Sequence, residues 1–221
     1  MIVKNKRMYS ILMWITGLLL CPLGVTLATN AGFGVSMIEA PVYILYLKLS
    51  SLFSWFTFGM AQYVLQGIAL LILCLSIRKF KWRYLLSFGT AVLFGLILDG
   101  WRLILGHSQY TDLYTRIICC ALGIIITSFA VACFFRTEFP QEVWDLFVKE
   151  FAITYKINMT RVKWVYDITS LAVAALLMFL FFRKIVWSAI GIGTIITTFI
   201  NAPLIGFMGK LIDKLISVEK P

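Results

Sequence analysis

Apolar residues run through this chain in six long blocks, at about 9–30, 54–77, 84–105, 115–135, 163–182 and 185–209. Each block reaches ~20 residues, the length at which an α-helix crosses a bilayer core. Polar and charged residues gather in the short stretches between. Two further stretches have a different texture. Ser36 to Ser51 is apolar but interrupted by Glu39, Pro41 and Lys48; it is too short to span and reads as a re-entrant or interfacial piece. Phe139 to Ile157 carries Trp144, Phe147, Val148, Phe151 and Tyr155 at helical spacing. Gln141, Glu142, Asp145, Lys149 and Lys156 take the other side, with Asp145 and Lys149 spaced for an i,i+4 pair. Pro140 suits a first turn, so this stretch predicts an amphipathic interfacial helix or a cap packed over the bundle.

The blocks also repeat. Cys21-Pro22-Leu23-Gly24 is echoed by Cys120-Ala121-Leu122-Gly123, an offset of 99 residues. Lys79-Phe80, Trp82 and Phe88-Gly89-Thr90 are echoed by Arg183-Lys184, Trp187 and Ile192-Gly193-Thr194, an offset of about 104. Each half, 1–110 and 111–221, then holds three spans, and an odd number forces the second half to enter from the opposite face. The expected fold is an all-α polytopic membrane protein of six transmembrane helices. They form two inverted three-helix repeats within one membrane domain, with a re-entrant or interfacial segment in each half. Many secondary transporters are built this way.

Charge agrees with that layout. With the N-terminus in the cytoplasm, fifteen of the twenty Lys and Arg fall inside: Lys4, Lys6 and Arg7; Arg78 to Arg83; Arg136 to Lys163; and Lys210, Lys214 and Lys220. Both termini are therefore expected to be cytoplasmic. The basic start and following apolar run resemble a signal peptide, but the run is too long and lacks a cleavage site, so an uncleaved first helix is expected. The net charge of +10 is spent on topology; no basic face with interleaved aromatics points to nucleic acid. The apolar fraction of 61% leaves little chain for a soluble catalytic domain. Five cysteines lie in or beside apolar runs with no CxxC pair, which reads as buried hydrophobes and gives neither a disulfide framework nor a metal site.

The segment Asn30-Ala31-Gly32-Phe33-Gly34-Val35-Ser36 resembles the glycine signature of the YczE-type (YczE/YyaS/YitT) bacterial integral membrane proteins. Gly89-Thr90 through Asp99 and the duplicated layout resemble that family too, and the likeness covers essentially the whole chain. It implies a protein of the bacterial cytoplasmic (inner) membrane with no settled activity, of a kind commonly grouped with transporters. Where the family often carries Pro-Trp-Asp after the glycines, this chain has Met37-Ile38-Glu39 in one half and Glu142-Val143-Trp144-Asp145 in the other.

Polar residues within apolar spans are costly and mark cavities or partners. Asp99 and Arg102, three apart, form either a local ion pair at an interface or a ligand-binding pair. Gln62 and Gln66 present two amides to one side, for interhelical bonding or for a substrate path. Tyr166 and Asp167 occupy the equivalent region of the fifth span, where Asp167 could instead pair with Lys163. Asn30 and Asn201-Ala202-Pro203 are expected helix breaks, and such backbone at depth must line protein or water. With Glu39 they make the best candidate pocket, Glu39 being its strongest member. Glu138, Glu142 and Asp145 form an acidic cluster, either a solvated face or a cytoplasmic gate of Glu142 and Asp145.

His107 is the only histidine and reads as a loop residue, and Asn158-Met159-Thr160, a glycosylation sequon, falls on the expected cytoplasmic side. No nucleotide-binding loop, dinucleotide fingerprint, HExxH or nucleophile elbow is present, so no enzyme activity, cofactor or metal is expected. The leading expectation is a small-solute transporter or facilitator with its site between the halves, alone or as a homodimer. The alternatives are the substrate-binding subunit of a multi-component transporter, similar in size to energy-coupling-factor S components, and a partner or regulatory protein docking through 139–157.

Overall fold

In the computed structural model, residues 2–3, 6–215 and 217–218 are described, so Lys4 and Lys220 lie outside the described residues. The regular structure of the described residues is helical apart from a two-residue parallel pairing of β1 (Ile2–Val3) with β2 (Ser217–Val218). Six helices are long and apolar enough to cross a membrane: α1 (Lys6–Ala31), α3 (Phe58–Ile77), α4 (Trp82–Leu105), α5 (Leu113–Phe134), α7 (Met159–Phe182) and α8 (Ile192–Leu215). Two shorter ones, α2 (Glu39–Ser50) and α6 (Val143–Tyr155), stand where the interrupted stretches were expected. This is a multi-pass membrane protein.

The last span differs from expectation in two ways. It begins at Ile192 rather than near 185, because Val186 to Gly191 fold into an apolar turn packed beneath the glycine segment. It also runs unbroken through Pro203. A proline removes one backbone bond, but at bilayer depth no water stands ready to satisfy further freed groups, so the helix persists on both sides. The expected break at Ala31 is present: α1 stops there, and Gly32 follows at φ 70°.

α1 and α5 pack along their length at the centre. They cross at Gly24 and Gly123, where a Cβ on Gly24 would lie 2.8 Å from the Gly123 carbonyl oxygen and a Cβ on Gly123 2.9 Å from that of Gly24. Backbones this close require small residues on both sides. α4 leans on α1, and α8 on α5. α3 and α7 flank the short helices, each touching both: α3 packs on α2 and α6, and α7 on α2 and α6.

The short helices stand end to end. Gln66 lies eight residues into α3, about 12 Å along a helix about 30 Å long. Its amide oxygen accepts from the Val143 N–H at the start of α6, and the Tyr155 hydroxyl at the other end of α6 donates to the Ser76 carbonyl. α6 therefore runs from mid-depth to the end of the bundle that bears the chain termini. α2 starts beside Gln62 and runs the other way, so the two N-termini converge inside. Sequence pattern left 139–157 as an interfacial helix, a cap over the bundle or a re-entrant segment; contacts make it a half-helix dipping into the bundle.

Where α6 nears that end, Glu150 accepts from Lys81 Nζ at 2.6 Å and from the Tyr84 hydroxyl at 2.9 Å. Partial burial would raise the Glu150 carboxyl, but these two donors outweigh it and hold it below the usual range. A depressed folded value means stabilisation above the ordinary carboxylate range that fades as pH falls through the folded value. Glu150→Gln is expected to lower Tm by ~2 °C at neutral pH. The two proteins should converge below pH ~4, read by thermal unfolding across pH.

Candidate functional site

The glycine segment between α1 and α2 turns the chain back into the bundle. Gly34 sits at φ 101°, Phe33 O accepts from Gly193 N at 2.7 Å, and Val35 N donates to Ala189 O at 3.2 Å. Arg116 Nε ties off Ala31 O at 2.7 Å. In the second half, Pro140 O accepts from Trp14 Nε1 at 3.1 Å and from Thr90 Oγ1 at 3.0 Å. Each loop is thus held by helices of the other half, and each delivers a carboxylate to the head of a half-helix: Glu39 in the first turn of α2, Glu142 at the N-cap of α6.

Two glutamines join these carboxylates. Gln62 Nε2 donates to Glu39 Oε2 at 2.6 Å, and Gln66 Nε2 donates to Glu142 Oε2 at 2.9 Å and to Gln62 Oε1 at 3.4 Å. The Val143 N–H fixes the sense of the whole chain. It can only donate, so Gln66 must turn its oxygen toward it at 3.0 Å and its NH₂ toward Glu142 and Gln62. Gln62 and Gln66 are fully buried, and Glu39 and Glu142 are each only 8% exposed.

Charge is the unusual part. Among the described residues neither Glu39 nor Glu142 forms an ion pair, unlike Glu150 with Lys81, Asp213 with Arg136 and Asp167 with Lys163. Each carboxylate sits at the positive end of a helix dipole, worth at most ~2 kcal/mol. Burying an ionised carboxylate costs several kcal/mol. The dipoles and the Gln62 and Gln66 amide donors offset part of that cost, and a proton or a bound cation would offset more of it.

The other anticipated residues separate around this core. Asn201 Oδ1 accepts from Ser128 Oγ at 2.8 Å and lines, with Glu39, a cavity of about 30 Å³. Asn30, at the far end, donates to Gly106 O at 3.0 Å, away from Glu39. Asp99 and Arg102 take different partners: Asp99 Oδ1 accepts from Gly59 N at 2.9 Å at the head of α3. The buried Arg102 guanidinium lies over the Tyr46 and Phe58 rings at 4.9 and 5.3 Å. Asp167 pairs with Lys163 at 3.0 Å. Asp145 lies in the field of that pair and makes no ion pair with Lys149.

Tyr166 lines a second, apolar crevice of about 450 Å³ with Trp144, Phe147 and Leu65, between α3, α6 and α7. Glu142, expected in a solvated face or a gate, is buried against Gln66 instead. The repeat offsets of 99 and 104 carry Glu39 onto 138–143, a window that contains Glu142, so the signal was present. Thr127 and Thr197, which also line the smaller cavity, gave none.

Six spans, two inserted half-helices and a buried glutamate–glutamine chain define a polytopic membrane protein with an internal polar centre. Residues 8–210 match the model of a family of unknown function, DUF6198, and the chain belongs to that family. It is 24% identical over 199 residues, 90% of this chain and 91% of the relative, to a Bacillus subtilis (strain 168) protein named "Uncharacterized protein YyaS". These agree with the YczE/YyaS resemblance carried by the glycine segment. No solved structure matches.

Proposed function

We propose that this protein moves a small solute across the bacterial cytoplasmic membrane, with both termini cytoplasmic, acting as a carrier rather than an enzyme. The observation that carries the reading is the pair of opposed half-helix N-termini, each led by a buried carboxylate without a cation, at mid-depth. Half-helix ends at the bilayer midplane are where secondary transporters hold substrates and coupling ions.

An inverted repeat of 1–110 and 111–221 underlies this reading, and part of the packing supports it, although the close α3–α4 contact has no α7–α8 counterpart of similar extent. Exchanging α1 with α5, α2 with α6, α3 with α7 and α4 with α8 turns the α2–α7 contact into α3–α6 and the α1–α4 contact into α5–α8. Gly24 and Gly123, equivalent by sequence, touch each other, as residues on a two-fold axis must. The symmetry leaves a site shared by both halves, reachable from either face when the halves rock.

The test is a thermal-shift screen of purified protein against vitamins, nucleobases, amino acids and organic ions, followed by uptake into vesicles. A ligand at ~100 times its Kd should stabilise the fold by ~2.7 kcal/mol. Its effect should vanish in Glu39→Gln and persist in Glu150→Gln, which lies toward the other end of α6, away from the Glu39 cavity. A broad panel without one saturable hit, on folded protein, would move the weight to a partner-protein role.

A further inference from the structure

The cavity against Glu39 has a chemistry of its own. Around its about 30 Å³ stand five side chains with oxygen atoms: Ser36, Glu39, Thr127, Thr197 and Asn201. No Lys, Arg or His lines it. Two of these oxygens are already oriented. Thr197 Oγ1 gives its proton to the Thr194 carbonyl at 2.9 Å, which leaves only lone pairs for the cavity. Ser36 Oγ accepts from the Glu39 N–H at 3.4 Å.

The space is large enough for an ion or water and far below the ~300 Å³ that an organic solute needs. Half of the wall is apolar (Val25, Ala28, Val35, Gly123 and Ile124), and the donors set in it are oxygens without thiol or imidazole, which suit a hard cation. Charge sets the valence: a single carboxylate balances one positive charge, whereas a divalent ion would leave a net charge buried in the bundle. Cys21 on α1 and Glu142 ahead of α6 are the other titratable groups within electrostatic range, and neither brings a positive charge.

We propose that this cavity binds one small monovalent cation of the Na⁺ class, held by the Glu39 carboxylate with the Ser36, Thr127, Thr197 and Asn201 oxygens. The proposal deepens the transport reading, since it assigns the coupling ion to the same half-helix junction. The ion sits between α1, α5, α8 and the head of α2, so it ties the glycine segment of one half to two helices of the other.

The experiment is a titration of the purified full-length protein with NaCl against choline chloride at constant ionic strength, reading apparent Tm. Na⁺ should give a saturable rise that choline does not. Glu39→Gln should lose that rise. Thr197→Val keeps the shape and removes one ligand oxygen, so its midpoint should move to Na⁺ concentrations at least ~5-fold higher. It also keeps the test decisive if Glu39→Gln fails to fold. Equal responses to Na⁺ and choline, or an unchanged midpoint in Thr197→Val, overturn the site. A saturable Na⁺ response in protein that moves no solute would sink the transport reading and leave this site standing; solute uptake with no Na⁺ response would do the reverse.

Discussion

Gly34→Ala is expected to leave little folded protein. The residue sits at φ 101°, where any side chain is strained by ~1–2 kcal/mol. Its Cβ would also lie 2.5 Å from Thr194 Oγ1 and 2.6 Å from the Gly191 backbone nitrogen. The second of these is backbone, in the turn that leads into α8, and cannot swing aside. Overpacking of that kind adds ~1–3 kcal/mol. Together they approach the lower end of a whole domain's stability, ~5 kcal/mol. Gly89→Ala is the control: a Cβ there meets nothing within 4 Å, so the change should stay within ~1 kcal/mol. The measurement is the monodisperse yield and Tm of both variants after extraction. Equal behaviour would mean that the turn before α8 is not held against the glycine segment as described.

The second large effect is expected at Gln66→Leu. Leucine nearly fills the volume but strands three buried groups at once, the Val143 N–H, the Glu142 carboxylate and the Gln62 amide oxygen. Each unsatisfied group costs ~1–3 kcal/mol, and more when charged, so a loss of ~3–5 kcal/mol follows. A double-mutant cycle with Glu142→Gln should return a coupling of ~1–3 kcal/mol, since the two residues share a hydrogen bond. Additive effects would show that the glutamine chain does not hold the head of α6.

The spans were legible because length and hydropathy alone decide whether a helix can cross a bilayer. α8 was placed early because the apolar run from Ile185 to Ile190 is not helical: Ala189, with Val186 and Ile190 against it, is buried in a turn, while Ile185 and Trp187 are exposed. The depth of α6 was not legible. Its periodicity fixes which face is apolar, and that face serves equally against lipid or against α3 and α7. Bonds between residues 77 and 79 apart, from the Val143 N–H to Gln66 and from the Tyr155 hydroxyl to Ser76, set the depth. Glu142 was misread for the same reason: beside Glu138 and Asp145 it looks like one of a solvated cluster, yet its partner lies on α3. Glu39 and the two glutamines were legible because a polar residue in an apolar block must be satisfied somewhere.

The packing of α2 bears on how the chain is made. Its flanking partner α7 begins roughly 110 residues after α2 ends, a delay of about 5–20 s at ribosomal rates. Until then a helix too short to span, led by a glutamate, has only α3 beside it within the bundle. The first half therefore enters the membrane as an unfinished object with an open flank. A nascent chain truncated before Met159 should be more readily degraded than one that includes Phe182, which makes biosynthesis a stage at which this fold is vulnerable.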